Sequence, residues 1–145
     1  MNEILLVEDN PDDVELTRRA FRKNKISNEM VVVNDGAAAL DYLFAQGAYK
    51  ARDASALPAV VLLDLKLPRF DGLHVLKELR SNPKTKLLPV VVLTSSTEDR
   101  DLVSSYSLGA NSYVRKPVDF QEFVDAVAQL GLYWLILNQR APLNG

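Results

Sequence analysis

Four short apolar runs in this chain each end on residues that handle charge. Ile4-Leu5-Leu6-Val7 runs into Glu8-Asp9, Val60-Val61-Leu62-Leu63 into Asp64, Val90-Val91-Val92-Leu93 into Thr94-Ser95, and Ser112-Tyr113-Val114 into Arg115-Lys116. If these runs lie side by side, Glu8, Asp9 and Asp64 place three carboxylates within several Å of one another. Two such charges repel by roughly 4 kcal/mol at about 4 Å and an effective dielectric near 20. The cluster must take up protons, gather cations, or both. Magnesium takes oxygen ligands and keeps waters, so a few carboxylates suit it. Lys116 adds a fixed positive charge. Three carboxylates, one ammonium and one divalent ion sum to about zero, which leaves a site able to receive a phosphoryl group. Each residue alone also has an ordinary role. An Asp after a strand forms turns, Thr94-Ser95-Ser96 can cap a helix, and a lysine before proline can sit in solvent.

The elements that must bring these residues together are legible in the spacing. Short runs rich in Val, Ile and Leu, with Met30-Val31-Val32-Val33 as a fifth, suit strands buried on both faces of a parallel sheet. Helical spacing separates them. Pro11-Asp12-Asp13 opens a segment with Val14, Leu16, Ala20 and Phe21 on its apolar side. Ala37 to Ala45 follows, then Gly72 to Leu79, stopped by Ser81-Asn82-Pro83, then Asp99 to Leu108, and last Phe120 to about Gln139. The acidic pairs Asp12-Asp13 and Glu98-Asp99 fall where a helix dipole and cap favour them. Strand and helix alternate five times. The expected fold is therefore α/β, a doubly wound, mainly parallel five-stranded sheet with helices on both faces. In such sheets ligands bind beyond the carboxyl ends of the strands, at the switch point where strand order reverses. Residues 46–58 form the one long loop, small and polar in composition, and read as a solvated connection.

Composition narrows the class. The 145 residues suit one domain, residues 1–145, with its core at about 3–130 and a helical tail at about 131–145. Hydrophobic residues make up 48% and charged residues 25%, with a formal charge of -2, so nothing in the total favours nucleic acid or a membrane surface. The absence of cysteine excludes disulfides, thiolate metal sites and thiol catalysis. No apolar stretch approaches the roughly 20 residues that cross a bilayer. A cytoplasmic location is the expectation.

The motifs Val7-Glu8-Asp9-Asn10, Leu63-Asp64-Leu65-Lys66-Leu67-Pro68 through Asp71-Gly72, Val92-Leu93-Thr94-Ser95 and Gly109-Ala110 through Tyr113-Val114-Arg115-Lys116-Pro117 resemble the receiver domains of two-component response regulators, the CheY-like family. The resemblance covers residues 3 to 130 in order, and its motifs are specific as a set. It implies the flavodoxin-like (βα)5 fold with strand order 2-1-3-4-5. It also implies that Asp64 takes a phosphoryl group from a histidine of a sensor kinase. Glu8, Asp9, Asp64 and the backbone carbonyl of Lys66 would hold Mg2+ or Mn2+. Thr94 and Lys116 would bind phosphoryl oxygens, and Tyr113 would turn inward as Thr94 is drawn to the phosphate. The bond between Lys116 and Pro117 would be cis. On this reading the protein is a phosphorelay switch that resets by hydrolysis and not a turnover enzyme.

Some positions depart from common family patterns. Phe70 stands where many members carry Met, and Ser95 where Ala is frequent. Lys66 and Ser96 occupy variable positions that tune phosphate lifetime. His74, the only histidine, reads as solvated on a polar helix face.

Beyond Gly131 the segment Leu132-Tyr133-Trp134-Leu135-Ile136-Leu137 is apolar all round, more than one buried face requires. Tyr133, Trp134, Leu135 and Leu137 are the expected interface of a homodimer or docked partner. With the long loop, this segment resembles the stand-alone subgroup associated with phytochrome-type kinases. Two other readings remain open at this level. One is a small magnesium phosphatase with an aspartyl nucleophile, which normally carries a second Asp where Lys66 stands. The other is a docking module independent of phosphorylation.

Overall fold

The computed structural model describes residues 3–69, 71–95, 98–116 and 120–130. Its five strands are β1 (Ile4–Val7), β2 (Met30–Val33), β3 (Val60–Leu63), β4 (Val90–Thr94) and β5 (Ser112–Arg115). They alternate with helices α1 (Pro11–Lys23), α2 (Gly36–Leu43), α3 (Gly72–Ser81), α4 (Asp99–Ser107) and α5 (Phe120–Leu130). The strands pair in parallel in the order β2-β1-β3-β4-β5, the doubly wound topology expected.

Burial on both faces accounts for the continuous apolar runs. Alternate residues of one strand enter different cores, because side chains on a strand point to opposite sides. Leu5, Val7, Val61, Leu63, Val90 and Val92 join Leu43, Val75, Leu76 and Leu79 under α2 and α3. Ile4, Leu6, Val60, Leu62, Val91 and Leu93 join Ala20, Phe21, Phe123, Val124 and Val127 under α1 and α5. Register aligns the strand ends: Val7 lies beside Val33 and Leu63, and Leu63 beside Val92. The residues that follow β1 and β3, Glu8 and Asp64, therefore emerge at one level.

Among the described residues, three helices begin on side-chain caps. Asn10 accepts from the Asp12 amide at 2.9 Å, Asp35 from Ala38 at 2.7 Å, and Asp71 from His74 at 2.9 Å. Asp35 at the cap starts α2 one residue before the spacing suggests, and the left-handed Ala45 (φ 52°) lies beyond its end. At α4 the cap position is Glu98, which makes no capping bond and instead pairs with Arg100 at 2.6 Å. The expected extension of the last helix to about Gln139, with Tyr133, Trp134, Leu135 and Leu137, lies outside the described residues. So do Phe70, Ser96 and the Lys116–Pro117 bond.

The long loop is largely exposed, as its composition suggests, but a few of its residues anchor it to the core. Tyr49, in a short 3-10 turn at Gly47–Tyr49, meets the Tyr42 ring edge-on at 5.1 Å, and Leu57 packs on the core. The Arg52 guanidinium lies 3.9 Å over the Tyr42 ring, donates to the Tyr42 carbonyl, and donates to Ala56 at 2.6 Å. The Tyr42 hydroxyl donates to Glu3. Two aromatic rings and a stacked cation supply enough contact to fold the segment back.

Candidate functional site at the strand ends

The backbone continues its sheet bonding one residue past the strands, and this sets the positions of the charged side chains. The Glu8 amide donates to Val33 at 3.0 Å, Asp64 to Val7 at 3.1 Å, and Lys116 to Thr94 at 2.8 Å. Behind Asp64 the chain turns tightly, with Gly72 donating to Leu65 at 3.0 Å. A Cβ on Gly72 would collide with the Asp64 carbonyl oxygen and stand 2.8 Å from the Leu65 Cα, so only glycine permits this approach. The following loop is held by α2: the Gly36 and Ala37 amides donate to Pro68 at 3.2 Å and Arg69 at 2.9 Å. Arg69, left-handed at φ 47°, pairs with Asp35 at 3.7 Å.

The side chains converge as the spacing suggests. Carboxylate oxygens of Glu8, Asp9 and Asp64 lie within 4.8 Å of one another. Glu8 and Asp64 are buried and Asp9 is exposed, so the cluster opens to solvent on one side. Lys116 Nζ donates to Glu8 Oε1 and, at 3.2 Å, to Asp64 Oδ2. Asp64 Oδ1 accepts from the Lys66 amide at 3.2 Å. Thr94 is fully buried at the end of β4.

Burial pushes the Glu8 carboxyl up from 4.5 to about 7, with the Asp64 charge adding to the rise and the Lys116 ammonium opposing it. Burial alone would lower the Lys116 ammonium, but the bond to Glu8 and the charges of Asp64, Glu8 and Asp13 leave it raised. The donor set fits a hard divalent cation. Three carboxylates offer oxygen ligands within reach of one ion, and burial raises one of them, Glu8, despite the Lys116 ammonium beside it.

A pH dependence follows. Between 4.5 and about 7 the unfolded chain has released the Glu8 proton and the folded chain retains it. Stability of the metal-free protein therefore falls as pH rises through that window, by on the order of 3 kcal/mol from this group, and then levels off. Urea unfolding in EDTA at about pH 5 and about pH 8 checks this; the same pH dependence in wild type and in Glu8→Gln would refute it.

Two acidic residues missing from the expected site belong to it. Asp13 Oδ2 accepts from Lys116 Nζ at 3.1 Å. Asp13 reads in the sequence as a helix-opening acid; the signal that could have found it is that α1 begins just after Asp9, so its first turn must overlook the strand ends. Asp101 of α4 is 3.7 Å from Lys66 Nζ. That ion pair spans a cleft of about 420 Å³ lined by Asp9, Leu65, Leu67, Pro68 and Asp71 as well as by the pair itself. The residue two beyond Asp64 is thus a lysine engaged with a carboxylate, and the second acid of an aspartyl phosphatase is not supplied there. Tyr113 packs against the α2/α3 core, and its hydroxyl is buried with no hydrogen-bond partner among the described residues. His74 is partly buried, not fully solvated.

Known proteins agree with this geometry. The model of the response regulator receiver domain family matches residues 4–128. Among curated proteins, a probable methanogenesis regulatory protein, FilR2, of Methanothrix harundinacea is 42% identical over 139 residues, 96% of this chain and 86% of that protein. Response regulator Rcp1 of Synechocystis sp. is 39% identical over 132 residues, 91% and 88% of the two chains. Among solved structures, the bacteriophytochrome response regulator RtBRR is 52% identical with a TM-score of 0.79, covering 99% of this chain and 86% of that one. The phosphorylated cyanobacterial phytochrome response regulator RcpA and the Mn(2+)-bound form of Rcp1 are each 35% identical with a TM-score of 0.88. They cover 97% and 98% of this chain, and 99% and 100% of their own. Five parallel strands in this order, the acidic cluster at their ends and the match over residues 4–128 place the chain in the response regulator receiver domain family of two-component signalling.

Proposed function

We propose that the chain is a single receiver unit that accepts a phosphoryl group on Asp64 from a histidine kinase and signals through the surface change that follows. The observation that carries this reading is Asp64 Oδ2 at 3.2 Å from the Lys116 ammonium, within a cluster of three carboxylate oxygens no more than 4.8 Å apart. Glu8, Asp9, Asp64 and the Lys66 carbonyl would hold Mg2+ or Mn2+, and that cation supplies charge neutralisation at the phosphoryl oxygens.

In the transfer, an Asp64 carboxylate oxygen forms a bond to phosphorus. The bond from phosphorus to the donor histidine nitrogen breaks, and its electron pair leaves with the imidazole. Lys116 keeps its proton and pairs with a phosphoryl oxygen, while the Thr94 hydroxyl donates to another. Hydrolysis by water then returns Asp64 and inorganic phosphate, so the protein acts as a resettable switch rather than a turnover catalyst.

Thr94 and Tyr113 carry the change outward. Leaving the Tyr113 hydroxyl buried and without a partner among the described residues costs about 1–3 kcal/mol, so this packing is poised to change when Thr94 is drawn toward the phosphate. RtBRR and RcpA are phytochrome response regulators, which supports a phytochrome-type kinase as the donor. Signalling would proceed in the cytoplasm through a homodimer or partner surface that includes Tyr133, Trp134, Leu135 and Leu137. Among the described residues no helix is long and apolar enough to cross a membrane.

Incubation with acetyl phosphate and Mg2+, followed by peptide mapping, is expected to place a labile phosphoryl group on Asp64 and nowhere else. Phosphotransfer from a panel of histidine kinases, phytochrome-type included, then identifies the donor. Labelling at another residue, or none with any donor, would sink the reading.

A further inference from the structure

Lys116 makes three carboxylate contacts, and two of those carboxylates are needed elsewhere in the proposed transfer. Its Nζ donates to Glu8 Oε1, to Asp64 Oδ2 at 3.2 Å and to Asp13 Oδ2 at 3.1 Å. Asp64 gives up an oxygen to the new bond with phosphorus. Glu8 belongs to the cation-binding cluster, in which Asp13 has no part. We propose that Asp13 is the positioning residue for Lys116, holding its ammonium at the phosphoryl position before, during and after transfer. This inference rests on the reading of Asp64 as the phosphate acceptor.

The physical need is orientation. A lysine carries its charge on a long flexible stem, and pairing with one phosphoryl oxygen demands one geometry. A fixed carboxylate that takes no part in bond making supplies that geometry at every stage. Asp13 is itself well fixed. It lies in the first turn of α1, where Pro11 and the Asn10 cap set the helix start and the helix dipole favours an anion. Its carbonyl accepts from Thr17 Oγ1 at 2.7 Å, and Thr17 is buried. The far end of the same helix is tied to α5, with Asn24 Nδ2 donating to the Val124 carbonyl at 2.9 Å. The Lys116 side chain is 8% exposed and that of Asp13 is 32% exposed, so the contact is sheltered although Asp13 reaches solvent. During transfer the bond from Asp64 oxygen to phosphorus forms, the donor's bond to phosphorus breaks with its electron pair leaving on the donor, and the Asp13–Lys116 contact exchanges no proton.

The test uses the whole chain with Mg2+ and acetyl phosphate over a range of concentrations. The variants are Asp13→Asn, Asp13→Glu, Lys116→Met and the Asp13→Asn/Lys116→Met double. Asp13→Asn is expected to slow the maximal labelling rate about tenfold, the loss of one charge-assisted hydrogen bond, with half-saturation by acetyl phosphate unchanged. Asp13→Glu should recover part of the rate. In the Lys116→Met background Asp13→Asn should change nothing further, because its effect runs through the ammonium. A second readout needs neither metal nor turnover: the 15N–1H signal of the Lys116 ammonium should shift or broaden in Asp13→Asn while those of the other lysines stay in place. Wild-type labelling rates in Asp13→Asn, or equal slowing in both backgrounds, would overturn the proposal and leave the acceptor reading intact. A wild-type chain that takes no label would overturn the acceptor reading and the proposal with it.

Discussion

The Asp64→Asn chain is expected to take up no phosphoryl group from acetyl phosphate while folding as the wild type does. The amide has the same shape, so it still accepts from the Lys66 amide, a bond of 3.2 Å in the wild type. It carries no negative charge, however, and its oxygen is a poor nucleophile toward phosphorus. The substitution also removes a charge that raises Glu8, whose carboxyl should then titrate below about 7. Burial still acts on it, so the shift is reduced and not abolished. Intact-mass measurement with acetyl phosphate and Mg2+ tests the first part. Comparing pH-dependent urea unfolding of the two chains tests the second, since the loss of stability on raising pH should be smaller in the variant. Persistent labelling would move the acceptor to another group.

Gly72→Ala should be the most disruptive single methyl added near the site. The new Cβ would meet the Asp64 carbonyl oxygen, the Leu65 Cα at 2.8 Å and the Asp64 carbonyl carbon at 3.0 Å, all backbone atoms that cannot rotate away. Relief requires the turn after β3 to move, which shifts the Asp64 carboxylate relative to Glu8 and Lys116 and weakens the Gly72-to-Leu65 hydrogen bond. The expected cost is roughly 3 kcal/mol, and a melting temperature lower by about 10 °C. Because the displaced backbone carries the acceptor, the labelling rate should fall as well, in chains that remain folded at the assay temperature. A melting temperature within about 2 °C of wild type would show that the turn has room the geometry does not reveal.

The legible parts of the fold are those written in local pattern. Ile4–Val7, Val60–Leu63 and Val90–Val92 are apolar without alternation because helices cover both faces of the sheet, and a strand with one solvated face would alternate instead. Asn10, Asp35 and Asp71 announce helix starts through short side chains that bond the next turn. The anchoring of residues 46–58 is not legible in sequence, because it depends on Tyr42 and Glu3, which lie outside the loop. Arg80 is equally silent: it spans Thr85, Leu88, Gly109 and Asn111 through four hydrogen bonds, tying α3 to the segment before β5. No spacing rule marks such a long-range brace.

At the site itself, residue types and their order after the apolar runs determined that Glu8, Asp9, Asp64 and Lys116 would meet, with Thr94 at the end of a strand of the same sheet, because a parallel sheet places its carboxyl ends at one edge. Only the tertiary structure decided how the charge is shared among them. That burial raises the Glu8 carboxyl depends on packing around Glu8 that no local pattern contains. Likewise, Asp13 and Asp101 look like ordinary helix residues until α1 and α4 are laid against the sheet, where one reaches Lys116 and the other Lys66. Local chemistry names the groups, but distance and burial set their interaction energies.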